Sequence, residues 1–361
     1  MHSQQTTWKI FNETDLAWEA MLTDCETATS SISLEQFIFT SIRSGEIGQR
    51  FVDVFIKKQT EGVKVKLFLD AMGSYRIFTS SILSKLKKAG VEVVFHKTLA
   101  KLPKKRLFSF FLRDHRKLLV VDNRIAHIGG VVITQKAKHW RDTNVRLEGP
   151  VVQHLNEAFN AIWASDGRMK IKEFNEPRMS FDGFSVLPNA PTLRHKHIYT
   201  ELLKRIKRAR RSIHLTSPYF GPPPKMIRAL LRAARRGVDV RILLPHASDW
   251  RFADLVAQSF FGRLIRSGVR IFRLPRFVHA KASIIDGSWT TVGSCNLDYM
   301  SFWLNYELNI ASSDPRFAGD FEDQFRWDCT ESLEVDLEAW ERRSLFQRVI
   351  EKLAFPLRPF V

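Results

Sequence analysis

The sequence has few cysteines, a deficit of acidic residues and no long hydrophobic run. Its three cysteines, Cys25, Cys295 and Cys329, are widely separated among 361 residues. This spacing argues against a disulfide scaffold and against a zinc cluster, so we expect a reducing cytosol. No uninterrupted run reaches the about 18 apolar residues that a membrane-spanning helix needs. The N-terminal residues also lack the charged start and apolar core of a secretory signal.

Positive charge is in excess. The chain has 56 Lys and Arg against 38 Asp and Glu, which gives a formal net charge of +18. Such a charge favours polyanionic partners, either nucleic acid or an anionic bilayer, and gives no information about the fold. The hydrophobic fraction of 44% is normal for a globular protein with a core.

The chain repeats one plan of strands and helices. A β-rich run, at 31–39 in the first half and at 211–220 in the second, precedes helical stretches that end at a glycine before an alternating strand. The glycines are Gly62, Gly90, Gly237 and Gly268. This alternation predicts, for each half, a mixed and largely parallel sheet with helices on both faces, and a pseudo-two-fold pair of halves.

We divide the chain into two halves joined by a linker. The first half is assigned to residues 1–175 and the second to residues 194–361. Residues 176–193 are assigned to the linker because they are rich in Pro, Asn, Asp and Gly.

One short motif occurs once in each half. HRKLLVVD (115–122) and HAKASIID (279–286) both follow the pattern His-x-Lys-x4-Asp, 164 residues apart, and a Gly-Gly or Gly-Ser pair follows each Asp after seven residues. Alternate side chains of a strand share a face, so each His and its Lys point the same way. A single His-x-Lys is a weak signal. A second copy, in a matching strand context, is not expected by chance.

On these residues the chain resembles the phospholipase D superfamily, whose mark is a paired His-Lys-Asp motif. Within it the bacterial cardiolipin synthases are most similar, on segments such as LEQFIF, HWRDTNVRLEGPVV, TSPYFGPP and VGSCNLDYMSFWLNYELN. The resemblance implies two pseudo-symmetric α/β/α halves, each with a mixed, mainly parallel sheet flanked by helices, and an active site at their interface. It also implies a two-step transfer through a phosphohistidine, with no metal or other cofactor.

The motif residues suit chemistry on a phosphodiester. Lys117 and Lys281 would neutralise the non-bridging oxygens, whose charge repels a nucleophile. Neutral imidazole is a competent nucleophile near neutral pH, and a second imidazole can protonate the leaving alkoxide. We assign His115 as nucleophile and His279 as general acid and then base. The near symmetry leaves the reverse assignment open.

Four acidic residues complete the candidate catalytic set. An imidazole used in this way needs a carboxylate on its other nitrogen, and the family pattern places one in the regions of Asp142 and Glu307. Asp122 and Asp286 end the two motifs. For these two we favour a structural role in holding the turn and neighbouring backbone.

Candidate substrate-binding residues follow each motif. Gly293, Ser294 and Asn296 are similar to the phosphate-contacting Gly-Ser-x-Asn of the family, and Gly130 is the candidate in the first half. Val132 stands where relatives carry asparagine, so we expect one phosphate-side hydrogen bond to be missing there.

Two segments are candidates for membrane contact. Residues 102–117 interleave basic side chains with Leu and Phe, as in an interfacial segment. The alternative interpretation is a buried strand that leads into the motif. Near the C-terminus a helical stripe faces basic side chains, and such a stripe is more often part of a core. The stripe consists of Leu345, Phe346, Val349, Ile350 and Leu353.

The favoured hypothesis is a phosphatidyltransferase of the cardiolipin synthase kind, which moves a phosphatidyl group from phosphatidylglycerol to a hydroxyl of a second phospholipid. A hydrolytic phospholipase D and a nuclease of the same superfamily are the alternatives. We expect an anionic phospholipid substrate, peripheral association with the cytoplasmic side of the cell membrane, and a monomer. We expect no nucleic-acid partner, because no aromatic residues are spaced as stacking platforms along a basic groove.

Overall fold

Two mixed sheets and their helices make up the protein. The computed structural model describes residues 5–41, 45–96, 112–165, 179–191 and 196–360. The first half has strands β1 (Thr7–Glu13), β2 (Ser31–Gln36), β3 (Lys64–Asp70), β4 (Glu92–His96), β5 (Lys117–Val121), β6 (Ile125–Gly129) and β7 (Arg141–Glu148). Its helices are α1 (Thr14–Glu26), α2 (Ile47–Thr60), α3 (Tyr75–Phe78), α4 (Ser81–Lys88) and α5 (Val151–Trp163), with a 3-10 turn at Gln135–Ala137.

The remaining elements belong to the second half. Its strands are β8 (Met179–Phe181), β9 (Phe184–Asn189), β10 (Ser212–Thr216), β11 (Phe220–Gly221), β12 (Asp239–Pro245), β13 (Arg270–Leu274), β14 (Ala282–Ile285), β15 (Trp289–Gly293), β16 (Leu297–Asp298), β17 (Glu307–Ser312) and β18 (Leu333–Glu334). Its helices are α6 (His197–Arg208), α7 (Pro224–Arg235), α8 (Arg251–Ile265), α9 (Tyr299–Trp303), α10 (Pro315–Thr330), α11 (Leu337–Glu341) and α12 (Leu345–Ala354), followed by a 3-10 turn at Phe355–Phe360.

The two large sheets have the same strand order around the motif. The first is β1-β7-β6-β5-β2-β3-β4, and the second is β18-β13-β12-β10-β14-β15-β17-β9-β8. The predicted pair of mixed α/β halves with helices on both faces is confirmed. The predicted predominance of parallel pairing is wrong: the parallel pairs are β2–β3, β3–β4, β10–β12 and β12–β13, and the other pairs in these sheets are antiparallel. Each motif strand turns back as a hairpin, which the strand–helix alternation had concealed.

Strand order also bears on the boundary between the halves. β9 pairs with β17 as β1 pairs with β7, so β1 and β9 hold equivalent places. The two strands β8 and β9 lie within the predicted linker, 176–193, and by topology they belong to the second sheet. The division of the chain stays a prediction, and the strand order favours a second half that begins at β8.

The core lies in three layers. α1, α2 and α4 cover the outer face of the first sheet, and α6, α7 and α8 cover the outer face of the second. The third cluster lies between the sheets and contains side chains of α5 and α10 together with strands of both halves. The halves therefore share one apolar interface, which holds the beginnings of the two motif strands in place relative to each other.

The acidic ends of the motifs build the hairpin turns. Asp122 and Asp286 adopt positive φ, 53° and 56°. The Asp122 carboxylate accepts hydrogen bonds from the backbone N–H groups of Thr29, Ser30 and Ser31 at 2.7–2.9 Å. Partial burial alone would raise the pKa of Asp122, but these bonds hold it below its ordinary range. Each Asp therefore ties its turn to the start of the neighbouring strand.

The C-terminal helix α12 departs from expectation. The apolar stripe predicted to be core faces solvent: Leu345 and Phe346 are each 75% exposed and Leu353 is 66% exposed. The buried residues of α12 are Glu351 and Ala354. The other candidate membrane segment, 102–117, lies outside the described residues as far as residue 111. Among the helices that the structure describes, none is both long and apolar enough to cross a bilayer.

Asp122→Ala should lower the free energy of unfolding by about 1–3 kcal/mol, since it removes an acceptor shared by several N–H groups. Urea unfolding measures this difference. It should shrink as pH falls below about 4, because a carboxylate whose folded pKa is depressed stabilises only above its unfolded pKa. Asp323→Ala, which removes an exposed acid, is the control and should cost less than about 0.5 kcal/mol. Equal effects for the two variants would contradict the structural role of Asp122.

Candidate active site

The two motif histidines meet at the junction of the halves, and each is joined by backbone to the opposite half. The His115 N–H donates to the Tyr306 carbonyl at 3.0 Å, and the His279 N–H donates to the Arg141 carbonyl at 2.8 Å. The residues after these acceptors are Glu307 and Asp142. The bridges therefore place each candidate carboxylate beside a histidine.

The histidine–carboxylate pairs are crossed between the halves. Nδ1 of His115 lies 2.9 Å from Oε1 of Glu307, and Nδ1 of His279 lies 2.6 Å from Oδ2 of Asp142. A carboxylate can only accept here, so each imidazole carries its proton on Nδ1 and has its lone pair on Nε2. The sequence identified both acids, counted from the histidine of their own half. The structure instead pairs each acid with the histidine of the other half.

Both lysines are buried beside the histidines. The Lys117 ammonium donates to the His115 carbonyl at 2.6 Å, and the Lys281 ammonium donates to the His279 carbonyl. Burial lowers the pKa of Lys117 to about 8 and that of Lys281 to about 7. Lys117 contributes to the lowering at Lys281, so the two cations influence each other across the junction.

Both imidazoles favour the neutral form. Burial is the main cause that lowers the pKa of His115 and of His279, and Lys117 and Lys281 add to the lowering at both. The crossed carboxylates act in the opposite direction. Burial would raise the pKa of Asp142, but His279 and Lys281 hold it below its ordinary range. A neutral imidazole fixed through Nδ1 is the form that can attack phosphorus through Nε2.

The glycine and serine of the turns support the carboxylates. A Cβ on Gly130 would lie 2.1 Å from Oδ1 of Asp142, so the close approach of that acid requires glycine. A Cβ on Gly293 would lie 2.3 Å from the Leu308 carbonyl oxygen. In the second half the Ser294 hydroxyl donates to Oε2 of Glu307 at 2.5 Å. Their predicted contacts to substrate phosphate stay predictions.

Asn296 and Val132, which occupy matching positions, differ between the halves. Asn296 is buried, and its Oδ1 has no hydrogen-bond partner among the described residues. Val132 packs in the core of the first half, with 1% of its surface exposed. The first half therefore presents no polar side chain at this position, which makes the site asymmetric.

Asp122 and Asp286 do not join the cluster. Both lie at the far end of their strands from the histidines, about 23 Å away at the usual rise per residue, and bind the backbone of neighbouring loops. Their place among the candidate catalytic residues is therefore corrected, and the structural role that we favoured accounts for their contacts.

The sequence analysis did not identify three aromatic rings that lie at the site. The Phe37 ring centroid lies 4.8 Å from that of His115, while Trp140 and Phe277 lie 5.0 and 5.9 Å from His279. The sequence signal was available, since Phe37 directly follows β2 within LEQFIF and Trp140 precedes the Arg-Asp pair. These rings exclude water from the imidazoles and help to lower their pKa.

Two buried ion pairs that hold the histidine segments were also missed. Arg113 binds Asp70 at 2.5 Å, directly before the first motif. Arg141 binds Asp328 at 2.6 Å and so links the first half to α10. Only folding brings these partners together, so sequence spacing gave no signal. Among the described residues no group of three or more His, Cys, Asp or Glu has a metal-binding arrangement.

Known proteins are similar to this chain in sequence. The family described as "Cardiolipin synthase, PLD-like domain" matches residues 21–163 and 202–329. Cardiolipin synthase of Clostridium perfringens is 30% identical, over 100% of this chain and 78% of that protein. Cardiolipin synthase of Listeria welshimeri is 31% identical, over 98% of this chain and 76% of that protein.

Solved structures show the same architecture. Phosphatidylserine synthase of Haemophilus influenzae Rd KW20 has a TM-score of 0.74 at 13% identity, over 98% of this chain and 95% of that one. Polyphosphate kinase of Porphyromonas gingivalis has a TM-score of 0.60 at 12% identity, over 90% of this chain and 50% of that one. At these identities the likeness concerns the fold alone.

The paired motifs and the two joined halves define a phospholipase D-type enzyme. Within that superfamily the chain belongs to the cardiolipin synthase family of phosphatidyltransferases, since the family match extends over both halves and the curated relatives align along nearly the whole chain.

Glu307→Gln should lower the pKa of His115 further, because it removes the negative charge that raises this pKa. The amide oxygen can still accept from Nδ1, so the ring geometry is retained. Titration of the imidazole resonances by NMR measures the change. Glu322→Gln is the matched control, since Glu322 holds Nδ1 of His214 at 2.9 Å. A His115 titration that responds equally to both variants would refute the crossed pairing.

Proposed function

We propose that the chain transfers a phosphatidyl group from phosphatidylglycerol to the hydroxyl of a second phospholipid, through a phosphohistidine on His115. The observation that carries this proposal is the pair of buried imidazoles, each held at Nδ1 by a carboxylate of the opposite half. Two imidazoles whose Nε2 atoms bond to no residue that the structure describes, together with two adjacent ammonium groups, suit a displacement at an anionic phosphorus. The similarity to curated cardiolipin synthases supports the lipid substrate.

In the first step, Nε2 of His115 forms a bond to phosphorus and the bond to the glycerol oxygen breaks. Protonated His279 gives its proton to that oxygen, so glycerol leaves as a neutral alcohol. Lys117 and Lys281 face the non-bridging oxygens, whose charge they neutralise. The substrate anion raises the pKa of the imidazole beside it, which supplies the protonated form that the free enzyme disfavours.

In the second step, the hydroxyl of another phospholipid attacks phosphorus and the bond to Nε2 of His115 breaks. Neutral His279 takes the hydroxyl proton and returns to its protonated form. With phosphatidylglycerol as acceptor the product is cardiolipin, and with water it is phosphatidic acid. The aromatic rings near both histidines favour the first outcome because they limit the access of water.

We further propose that the enzyme acts as a peripheral protein at the cytoplasmic side of the cell membrane. The net charge of +18 supports attraction to anionic headgroups.

Purified protein incubated with phosphatidylglycerol liposomes should release glycerol and form cardiolipin in equal amounts. EDTA should leave the rate unchanged, since no step uses a metal. The same protein is incubated separately with DNA. Phosphatidic acid without cardiolipin would indicate a hydrolytic phospholipase D, and cleaved DNA with unchanged lipid would indicate a nuclease. Either result would overturn the proposed transfer.

His115→Ala should abolish an acid-labile phosphoenzyme, whereas His279→Ala should let it accumulate because deprotonation of the acceptor is lost. Rapid quenching with radiolabelled substrate measures both. We expect each variant to lose at least about a hundredfold in kcat, the usual contribution of a general acid or base. His214→Ala controls for loss of a buried histidine outside the site. The opposite pattern of accumulation would exchange the two roles.

The pH profile of kcat/KM should fall on both sides of neutrality. On the alkaline side, rising pH neutralises Lys281, with a pKa of about 7, and then Lys117, with a pKa of about 8. On the acid side, protonation of His115 removes the nucleophile below the ordinary imidazole range, because its pKa is lowered. Lys281→Arg should shift the alkaline limb to higher pH, since guanidinium stays charged.

Lys196→Arg is the matched control for this shift. Burial also lowers the pKa of Lys196 to about 8, but its ammonium donates to the carbonyls of Ala190 and Trp303. An alkaline limb that follows Lys196 instead of Lys281 would contradict the assigned role.

A further inference from the structure

We propose that a surface at the C-terminus docks the enzyme onto an anionic phospholipid bilayer. Its apolar part, the C-terminal apolar face, consists of Leu345, Phe346, Val349, Leu353, Phe355, Leu357 and Phe360. A basic groove lies beside this face, between α8 and α12. The inference rests on the proposed function, because it names the surface through which the enzyme would reach its lipid.

Exposed apolar side chains are concentrated in residues 345–360. Seven of the 15 large hydrophobic side chains that are exposed in the described part of the chain belong to the C-terminal apolar face. Leu345 and Phe346 are each 75% exposed. Single exposed hydrophobic residues are ordinary on a soluble protein, but a contiguous group marks an interaction site.

Specific contacts hold α12 with its apolar face outwards. The Arg343 guanidinium binds the buried Glu351 carboxylate at 2.6 Å and lies 4.4 Å from the Trp340 ring centroid. Trp340 in turn packs against Phe261 of α8 at 5.0 Å between centroids. The anchored side of α12 is therefore polar or small, and the exposure of the apolar side follows from how the helix is fixed.

The basic groove supplies complementary charge. It has a volume of about 590 Å³ and is lined by residues of α8 and α12. Two of its cations are neutralised, Arg266 by Glu341 and Arg343 by Glu351. Three exposed cations of the groove form no ion pair with any residue that the structure describes: Arg263, Arg348 and Lys352.

The two stripes of α12 have the pattern of an interfacial helix. Leu345, Val349 and Leu353 recur every four residues on one side, and Arg348 and Lys352 recur at the same spacing on the next. Helices of this kind lie in the headgroup plane, with apolar side chains in the acyl region and cations on anionic phosphates. A second copy of the chain fits less well, because it would bring the same unpaired cations together.

The docking surface contacts α8 and α9. The C-terminal 3-10 turn packs against α9, which lies between Asn296 and Glu307 in the chain. Phe355 also contacts Phe260 of α8, at 5.5 Å between ring centroids. A bilayer bound at this surface would therefore lie beside α9, the helix that precedes β17 and its Glu307 in the chain.

A triple variant, Leu345→Gln with Phe346→Gln and Leu353→Gln, should weaken binding to phosphatidylglycerol vesicles at least about tenfold, because three large side chains no longer enter the acyl region. Co-sedimentation with vesicles measures this affinity. The control replaces Leu16 and Trp327 by Gln, since both are exposed and lie on other helices. Its affinity should equal that of the unaltered protein.

A second variant tests the charges without touching the apolar face. Arg348→Gln with Lys352→Gln should weaken binding to phosphatidylglycerol vesicles by about fivefold for each charge. Binding to phosphatidylcholine vesicles should stay unchanged. Thermal unfolding checks that both variants are folded, and their positions on the surface predict melting temperatures close to that of the unaltered protein.

Two results would overturn the inference. One is vesicle binding by the triple variant that matches the control. The other is a dimer in solution that the triple variant separates, which would make the face an interface between copies of the chain. Activity on detergent-dispersed phosphatidylglycerol separates this inference from the proposed function: the triple variant should keep it. An unaltered protein that binds vesicles through this face and makes no cardiolipin would refute only the proposed transfer.

Discussion

The site depends on the crossed pairing of each motif histidine with a carboxylate of the opposite half. His115 and Glu307 belong to different halves, as do His279 and Asp142. Neither half alone holds an imidazole in a fixed orientation. Because the site exists only when both halves are joined, the constraint on the fold is a rigid interface, and the shared apolar cluster with the buried Arg141–Asp328 pair supplies it. Loss of one partner from such a buried pair costs about 3–5 kcal/mol, since an uncompensated charge remains.

Backbone geometry makes the crossing possible. In each half, the residue before the motif histidine pairs with the residue before the carboxylate of the other half. These backbone bridges link Asp114 with Tyr306 and Arg141 with Val278. Small residues then let the acids approach. Asp142 reaches His279 because Gly130 has no side chain, whereas the longer Glu307 leaves room for Ser294 to donate to it. The two subsites thus perform the same task with different side chains.

Much of this arrangement could be predicted from the sequence, because it repeats locally. The two motifs, their strands and the helix-ending glycines such as Gly62 and Gly237 at φ 91° and 84° follow from spacing and composition, and the resemblance to the family points to both carboxylates. The crossing does not, because sequence spacing relates Glu307 to the histidine of its own half. The exposure of the apolar face of α12 could not be predicted from the sequence either. Periodicity shows that a helix has an apolar stripe, but which face packs is decided by tertiary contacts such as Arg343 with Glu351.

Burial destabilises the positive charges of the site, and an anionic substrate stabilises them. Lys117 and Lys281 are nearly inaccessible and lie close enough that each lowers the pKa of the histidine in the other half. Burial therefore favours neutral imidazoles and lowers the pKa of both lysines. A phosphodiester placed between the halves reverses this balance, because its negative charge favours the protonated forms of both lysines and of the histidine that must act as acid. The same anion that repels a nucleophile in solution is thus the group that completes this site.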